Sequence, residues 1–237
     1  MATPYAIVVL ESAESTQDEA RSRSDGGCPT LVIAEHQPSG RGRLGRDWVE
    51  PDRALFSSLA FVPPWPVSAW SRIPLVAGLA VREAIEAHYG ITVGLRWPND
   101  LVVEDGKCGG ILAESADGLV VVGCGINLVW GDPMTGAAAL LPRDSNGVQV
   151  RDLASAWVER FLERMNLQPD AWGVDEYRRA CVTLGRPVSY PLGTGTAVGV
   201  SNEGALLVET NDGVVGVDSG EVRLHRAATI RDDRRGI

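Results

Sequence analysis

Apolar and polar residues follow two different periods along this chain, and the switches between them mark its elements. Tyr5 to Leu10 is a short apolar run that predicts a strand. The polar stretch Ser15-Thr16-Gln17-Asp18-Glu19 then predicts the start of a helix, with Thr16 and Glu19 spaced as a capping box. That helix ends by Gly26-Gly27, and Thr30 to Glu35 predicts a second strand. Ala54 to Val62 predicts a third, closed by Pro63-Pro64-Trp65-Pro66 because successive prolines cannot continue a ladder. From Trp70 to His88 the residues Ile73, Val76, Ala80 and Ile85 recur at helical spacing, with Pro74 in the first turn, where it is tolerated.

The period then returns to that of strands. Thr92 to Trp97 meets Pro98-Asn99-Asp100, the chain resumes extended through Leu101-Val102-Val103, and Asp105-Gly106 signals a turn. Lys107 opens the apolar segment Cys108 to Glu114, and a second turn at Ala116-Asp117-Gly118 returns the chain as Leu119 to Leu128, an antiparallel meander. Glycines 109, 110, 123 and 125 cost stability in strands unless something, such as a flat ligand, must approach the backbone closely.

A loose connection runs from Trp130 to Val150. Leu153, Trp157 and Phe161 then recur every four residues in a strongly amphipathic helix, and a shorter helix is expected near Asp175 to Leu184. Beyond Gly185 the pattern changes to glycine-punctuated β segments up to about Leu224, which predicts a domain boundary there: residues 1–184 form one domain and 185–237 a small β-barrel. Arg231-Asp232-Asp233-Arg234-Arg235 is expected to be a disordered end.

Composition narrows the function. A net charge of −9 and a pI near 4.9 disfavour a general nucleic-acid binder, so any positive field must be local. No 18-residue apolar run and no basic, cleavable N-terminal stretch is present, so neither a membrane span nor a signal peptide is supported, and a cytoplasmic location is expected. Cys28, Cys108, Cys124 and Cys181 form no CxxC pair, and His36, His88 and His225 show no ligand spacing, which disfavours structural zinc and a disulfide framework.

The local positive field is Gly40-Arg41-Gly42-Arg43-Leu44-Gly45-Arg46, followed by Asp47-Trp48. Glycine lets the backbone come close to a ligand, and guanidinium forks grip carboxylate or phosphate oxygens. A solvated turn or a nucleic-acid arm is the alternative that composition alone leaves open.

Read in order, Ser15-Thr16, Gln37 to Arg46, Trp97-Pro98-Asn99-Asp100, Lys107 to Leu112 and Gly125-Ile126-Asn127 resemble the motifs of the biotin–protein ligase family. The resemblance implies an α+β fold, with a mixed β-sheet catalytic domain of the biotin/lipoate ligase type and a C-terminal SH3-like β-barrel. It also implies two reactions: biotin and MgATP give biotinyl-5′-AMP and pyrophosphate, and a lysine of a carboxylase's biotin carboxyl carrier domain then takes the biotinyl group. ATP and Mg²⁺ are the implied cofactors, in a monomer or homodimer. Some members carry an N-terminal DNA-binding domain; only fourteen residues precede Ser15 here, too few for one, so a monofunctional enzyme that binds no DNA is expected.

By the same resemblance Lys107 and Arg43 are the catalytic pair. Ser15, Thr16, Gln17, Gln37, Arg41, Gly42, Arg43, Lys107 and Gly110 hold biotin. Arg41, Arg43, Arg46, Trp48, Asn99, Lys107 and Asn127 hold the nucleotide. A carboxylate attacking the α-phosphate of ATP needs cations to hold two anions together, and Lys107 and the loop arginines supply that charge. The ureido ring of biotin is neutral and needs donors and acceptors instead, as Ser15, Thr16 and Gln37 offer. Asn99 and Asp100 either reach the phosphates through Mg²⁺ or fix the turn ahead of Lys107. Asn127 contacts the adenosine or caps a strand. Cys108 turns to the face opposite Lys107 and belongs to the core. The other readings are a lipoate ligase or octanoyltransferase, disfavoured by the Gly40 to Arg46 run, and a non-catalytic biotin-adenylate module, disfavoured by Lys107.

Overall fold

The structure, a computed structural model, describes residues 5–42, 45, 48–142, 150–218 and 222–224. Two of the predicted site residues, Arg43 and Arg46, lie outside the described residues, as does the predicted tail at 231–235.

The first 129 residues supply a seven-stranded mixed sheet. Its strands are β1 (Ala6–Ser12), β2 (Thr30–His36), β3 (Arg53–Phe61), β4 (Gly94–Arg96), β5 (Asp100–Val103), β6 (Gly106–Ala116) and β7 (Leu119–Val129), in the order β1-β2-β3-β7-β6-β5-β4. Only the β1–β2 pair is parallel, as a strand–helix–strand connection through α1 (Thr16–Arg23) requires. The antiparallel meander of β5, β6 and β7 is the one the turn signals predict.

Strands β3 and β7 are the centre of the sheet, and their alternation sorts the molecule into two faces. Leu55, Leu59, Val122, Cys124 and Ile126 enter the main core under α2 (Ile73–Tyr89) and α3 (Val150–Met165). Helix α2 starts with Pro74 in its first turn and stops at Gly90, whose φ of 66° is left-handed. Helix α3 buries Leu153, Trp157 and Phe161 completely, as its four-residue repeat demands; Phe161 meets Phe61 edge to face at 5.3 Å. The opposite face carries Ala60 and Val121 beneath Ala20 of α1, and then, toward the loop, Phe56 beside Trp48.

Helix α1 is capped one residue earlier than the spacing of Thr16 and Glu19 predicts. Ser15 is the cap, its Oγ accepting from the Asp18 amide at 3.3 Å, which leaves the Thr16 hydroxyl for other partners. The turn before β6 is also displaced: Glu104 carries the positive φ of 53°, and Gly106 already pairs with Val103. Helix α4 spans Val174–Ala180, shorter than expected, because the chain leaves it to pair Cys181 with Leu95 and to donate the Val182 amide to the Leu95 carbonyl at 2.9 Å.

The remaining strands are β8 (Pro187–Tyr190), β9 (Gly193–Val200), β10 (Leu206–Thr210), β11 (Gly213–Val217) and β12 (Arg223–Leu224). They form an antiparallel sheet in the order β11-β10-β9-β8-β12; among the described residues its outer strands do not close into a barrel. The sheet is fastened to the rest of the chain through the β9–β10 turn. Trp172 donates to the Asn202 carbonyl at 2.7 Å, Trp97 to the Gly204 carbonyl at 3.0 Å and Arg178 to the Val200 carbonyl at 2.8 Å. Val188, Ala197, Val200 and Leu206 continue the same buried core. Among the described residues no helix is long and apolar enough to cross a membrane.

Candidate active site

A cleft opens on the α1 face of the sheet, where β3, β6 and β7 run beneath the first turn of α1 and beneath Gln37, Arg41, Gly42 and Trp48. Its floor is glycine. A Cβ on Gly125 would lie 3.1 Å from the Trp48 ring, one on Gly110 would lie 3.2 Å from Lys107 Nζ, and one on Gly123 would lie 3.2 Å from Gln17 Cδ. The strand glycines are explained by close approach, and at Gly110 and Gly125 the flat group lying on them is the indole of Trp48.

The inner end of this cleft is lined by neutral hydrogen-bonding groups that hold one another in place. Gln37 Oε1 accepts from the Thr16 amide at 2.8 Å and from Thr16 Oγ1 at 2.9 Å, and Thr16 Oγ1 also bonds Ser58 Oγ at 2.8 Å. Gln17 Nε2 donates to the Leu112 carbonyl at 3.1 Å, and Gln17 Oε1 is buried with no hydrogen-bond partner. Such an orphaned acceptor inside a cleft costs free energy until a ligand N–H reaches it. Ser15 Oγ, besides capping α1, is 3.4 Å from Arg41 Nη2. Arg41 itself is held at the surface, its guanidinium 2.7 Å from both carboxylate oxygens of Asp18. Gly42 lies at the rim.

Lys107 reaches the outer end. Its Nζ is 2.7 Å from Asp100 Oδ1 and 5.5 Å from the centre of the Trp48 ring. Lys107 and Gly110 share a face only because β6 bulges: Gly109 pairs with Leu101 and Lys107 with Val102, so Cys108 is an extra residue between them. That residue points into the core, where burial pushes its thiol up to about 12. Burial likewise raises Cys124. Neither thiol is a nucleophile at neutral pH.

A second cleft lies on the far side of Trp48 and Lys107. It is walled by Asn127, Trp130 and the segment from Met134 to Ala137. Asn127 is 3% exposed; its Nδ2 donates to the Ala138 carbonyl at 2.9 Å, while its Oδ1 has no partner. Asn99 faces the first cleft instead, with Nδ2 donating to the Ile111 carbonyl at 2.9 Å, so it knits the turn to β6. Among the described residues no group of three His, Cys, Asp or Glu side chains could hold a metal ion.

This arrangement, two clefts sharing one lysine and one tryptophan, can place a carboxylate and a phosphate on opposite sides of a single cation. Residues 9–127 match the model of the biotin/lipoate A/B protein ligase family, and residues 183–224 match that of the biotin protein ligase C terminal domain. The chain belongs to the biotin/lipoate A/B protein ligase family. A biotin–[acetyl-CoA-carboxylase] ligase of Mycobacterium tuberculosis is 32% identical over 90% of this chain and 87% of its own length. One from Paracoccus denitrificans is 30% identical over 90% and 98%. Among solved structures, a biotin protein ligase from Aquifex aeolicus in complex with biotin and ATP aligns with a TM-score of 0.78 at 28% identity, covering 94% of this chain and 99% of that one.

Within this ligase fold, several wall residues escape a reading of the sequence. Ser58 left a signal, since Ser57-Ser58 interrupts an otherwise apolar central strand. The backbone of Leu112 and the segment 134–137 left none, because the first contributes only a carbonyl and the second has no periodicity.

Proposed function

We propose that the chain activates biotin with ATP to biotinyl-5′-AMP and pyrophosphate, and then passes the biotinyl group to a lysine of a biotin carboxyl carrier domain. The observation that carries this reading is the position of Lys107 in the wall common to both clefts. The ureido ring takes the inner end of the first cleft, where its N–H groups reach acceptors such as Gln17 Oε1 and its carbonyl meets the hydroxyl of Ser15, while Thr16, whose donors are spent on Gln37, holds the wall in place. A neutral ring is held there by directed hydrogen bonds, without charge. The carboxylate then projects toward Lys107.

ATP takes the second cleft, its adenine amine donating to Asn127 Oδ1 and its α-phosphate turned to Lys107. Trp48, lying on Gly125, offers a face for stacking. A carboxylate oxygen attacks the α-phosphorus, the bond to the bridging oxygen of the β-phosphate breaks, and pyrophosphate leaves. The Lys107 ammonium faces the charge that builds on the α-phosphate oxygens. In the second step the carrier amine attacks the acyl carbon, loses a proton, and AMP departs. Arg41, Arg43 and Arg46 belong to the segment that covers the mixed anhydride and keeps water from it.

Mg²⁺ fits this site only as a companion of the triphosphate: Asp100 is the carboxylate beside Lys107, and when bound the ion neutralises phosphate charge. Residues 1–184 act as the catalytic unit and 185–237 as the SH3-like unit, working in the cytoplasm, where ATP and the carboxylase are available.

The test is incubation with MgATP and a recombinant carrier domain, supplied with biotin or with lipoate. Biotin-dependent pyrophosphate release and a biotinylated carrier lysine are expected. Turnover with lipoate alone overturns the reading in favour of the lipoate enzymes, and adenylate binding without transfer reduces the chain to a sensor.

A further inference from the structure

Residues 134–138 do not form a loose connection. They lie along β6 beyond the point where its pairing with β7, which begins at Gly109 and Ile126, stops. The Lys107 amide donates to the Gly136 carbonyl at 2.9 Å, and the Lys107 carbonyl accepts from the Ala138 amide at 2.8 Å. Both main-chain groups of the central lysine are therefore taken by this segment. Leu140 and Leu141 continue the fastening, donating to the Asn127 and Leu128 carbonyls at 3.0 and 2.9 Å. The same segment supplies Met134, Thr135, Gly136 and Ala137 to the wall of the second cleft.

Gly106 makes this docking possible. A Cβ there would lie 2.6 Å from Ala138 Cβ and 2.9 Å from the Ala137 carbonyl oxygen, closer than side chains tolerate. The turn does not call for glycine at this place, since the positive φ falls at Glu104 and Gly106 is absent from the left-handed region. What remains to explain the missing side chain is the strap itself.

We propose that Gly106 is a positioning residue, whose bare backbone seats residues 134–138 as a strap that fixes both the main chain of Lys107 and the nucleotide side of the site. The inference rests on the reading of the second cleft as the nucleotide seat. It predicts an effect confined to that side, because the inner end of the first cleft is held by its own bonds among Thr16, Gln37 and Ser58.

The experiment substitutes Gly106→Ala and measures two affinities by calorimetric titration: biotin into the free protein, and MgATP into the protein saturated with a non-reactive biotinol. Nucleotide affinity is expected to fall about tenfold, with biotin affinity within about twofold. Adding Ala138→Gly, which removes the nearer of the two crowded atoms, is expected to restore part of the loss, a response that general destabilisation would not give. Hydrogen exchange at the Ala138 amide should quicken in Gly106→Ala while that of Val122 in β7 does not. An unchanged nucleotide affinity, an equal loss for biotin, or no recovery in the double variant would overturn the proposal. Should Gly106→Ala not fold, Ala138→Val crowds the same contact from the strap side and is judged by the same affinities. If the unaltered protein shows no biotin-dependent pyrophosphate release, the ligase reading fails, while exchange at Ala138 still judges the strap.

Discussion

The two clefts that meet at Lys107 and Trp48 are finished to different degrees. In the first, Thr16, Gln37 and Ser58 are locked in a chain of hydrogen bonds between 2.8 and 2.9 Å, and Gln17 is pinned by its amide nitrogen, leaving its oxygen open. In the second, Asn127 Oδ1 has no partner, nor has the Trp48 indole N–H between the clefts, and Met134 on the rim is 53% exposed. A neutral, rigid ring is recognised most cheaply by groups that need not move on binding, because their ordering cost was met in folding. A polyanion brings charge that can draw cationic side chains around it after it arrives. The contrast assigns selectivity to the first cleft and adaptation to the second.

The sharpest way to break the comparison is Lys107→Ala, which removes the cation common to both sides. Biotin-dependent pyrophosphate release should fall on the order of a hundredfold or more, as when a preorganised charge is deleted from a transition state. The fold should survive, since the Lys107–Asp100 pair is partly exposed, with side chains 35% and 23% accessible. Near-normal turnover would mean that the two clefts do not communicate through this residue.

Next in size is Gly123→Val, placed where a Cβ already lies 3.2 Å from Gln17 and 3.3 Å from Ser58 Oγ. Crowding the rigid inner end should weaken biotin binding by about tenfold or more. MgATP affinity, read by the same titration, should stay within about twofold. A parallel loss of both ligands would merge the two clefts into one site.

How far the sequence foretold this arrangement depends on how local each signal is. The strands, the helices α2 and α3, and the β5–β6–β7 meander were legible because periodicity and turn residues act within a few positions. So was the burial of Cys108. The motif residues Ser15, Gln37, Arg41, Trp48, Gly110 and Lys107 do line one cleft. Illegible were the features made by distant segments: the bulge that brings Lys107 and Gly110 to one face, the indole of Trp48 resting on Gly125, and the strap at 134–138. Each depends on a partner some 20 or more residues away, or on one extra residue in a ladder, and neither leaves a pattern in a window of the chain. The capping box was misplaced by one residue because Ser15 and Thr16 are both competent caps, and only the bonds of Thr16 to Gln37 and Ser58 decide between them.

A smaller effect is expected at the mouth of the first cleft. Asp18→Asn removes the carboxylate that holds Arg41 at 2.7 Å, but both side chains are half exposed or more, 50% and 60%, and such pairs contribute little. Biotin affinity should change by no more than about threefold. A change beyond tenfold would show that the rim, and not only the inner end, is preorganised.

The smallest effect at neutral pH concerns Cys108, on the face opposite Lys107. Burial raises its thiol from the ordinary 9.0 to about 12, so it stays protonated in the folded chain throughout the working range. Cys108→Ala should therefore leave turnover at pH 7.5 within about twofold, since no thiolate takes part. The difference belongs at high pH. In the unfolded chain the thiol loses its proton above about pH 9, where the folded chain still holds it; the unfolded state then binds fewer protons, and stability falls as pH rises. The contribution is fully present below pH 9 and is lost toward pH 12, at up to about 1.4 kcal/mol per pH unit. Urea denaturation at pH 8 and pH 10 reads this slope, and Cys108→Ala should flatten it relative to the unaltered protein. An equal slope in both would mean that the thiol is less protected than its place under α2 and beside Leu101 implies, and that the bulge at Cys108 opens to water.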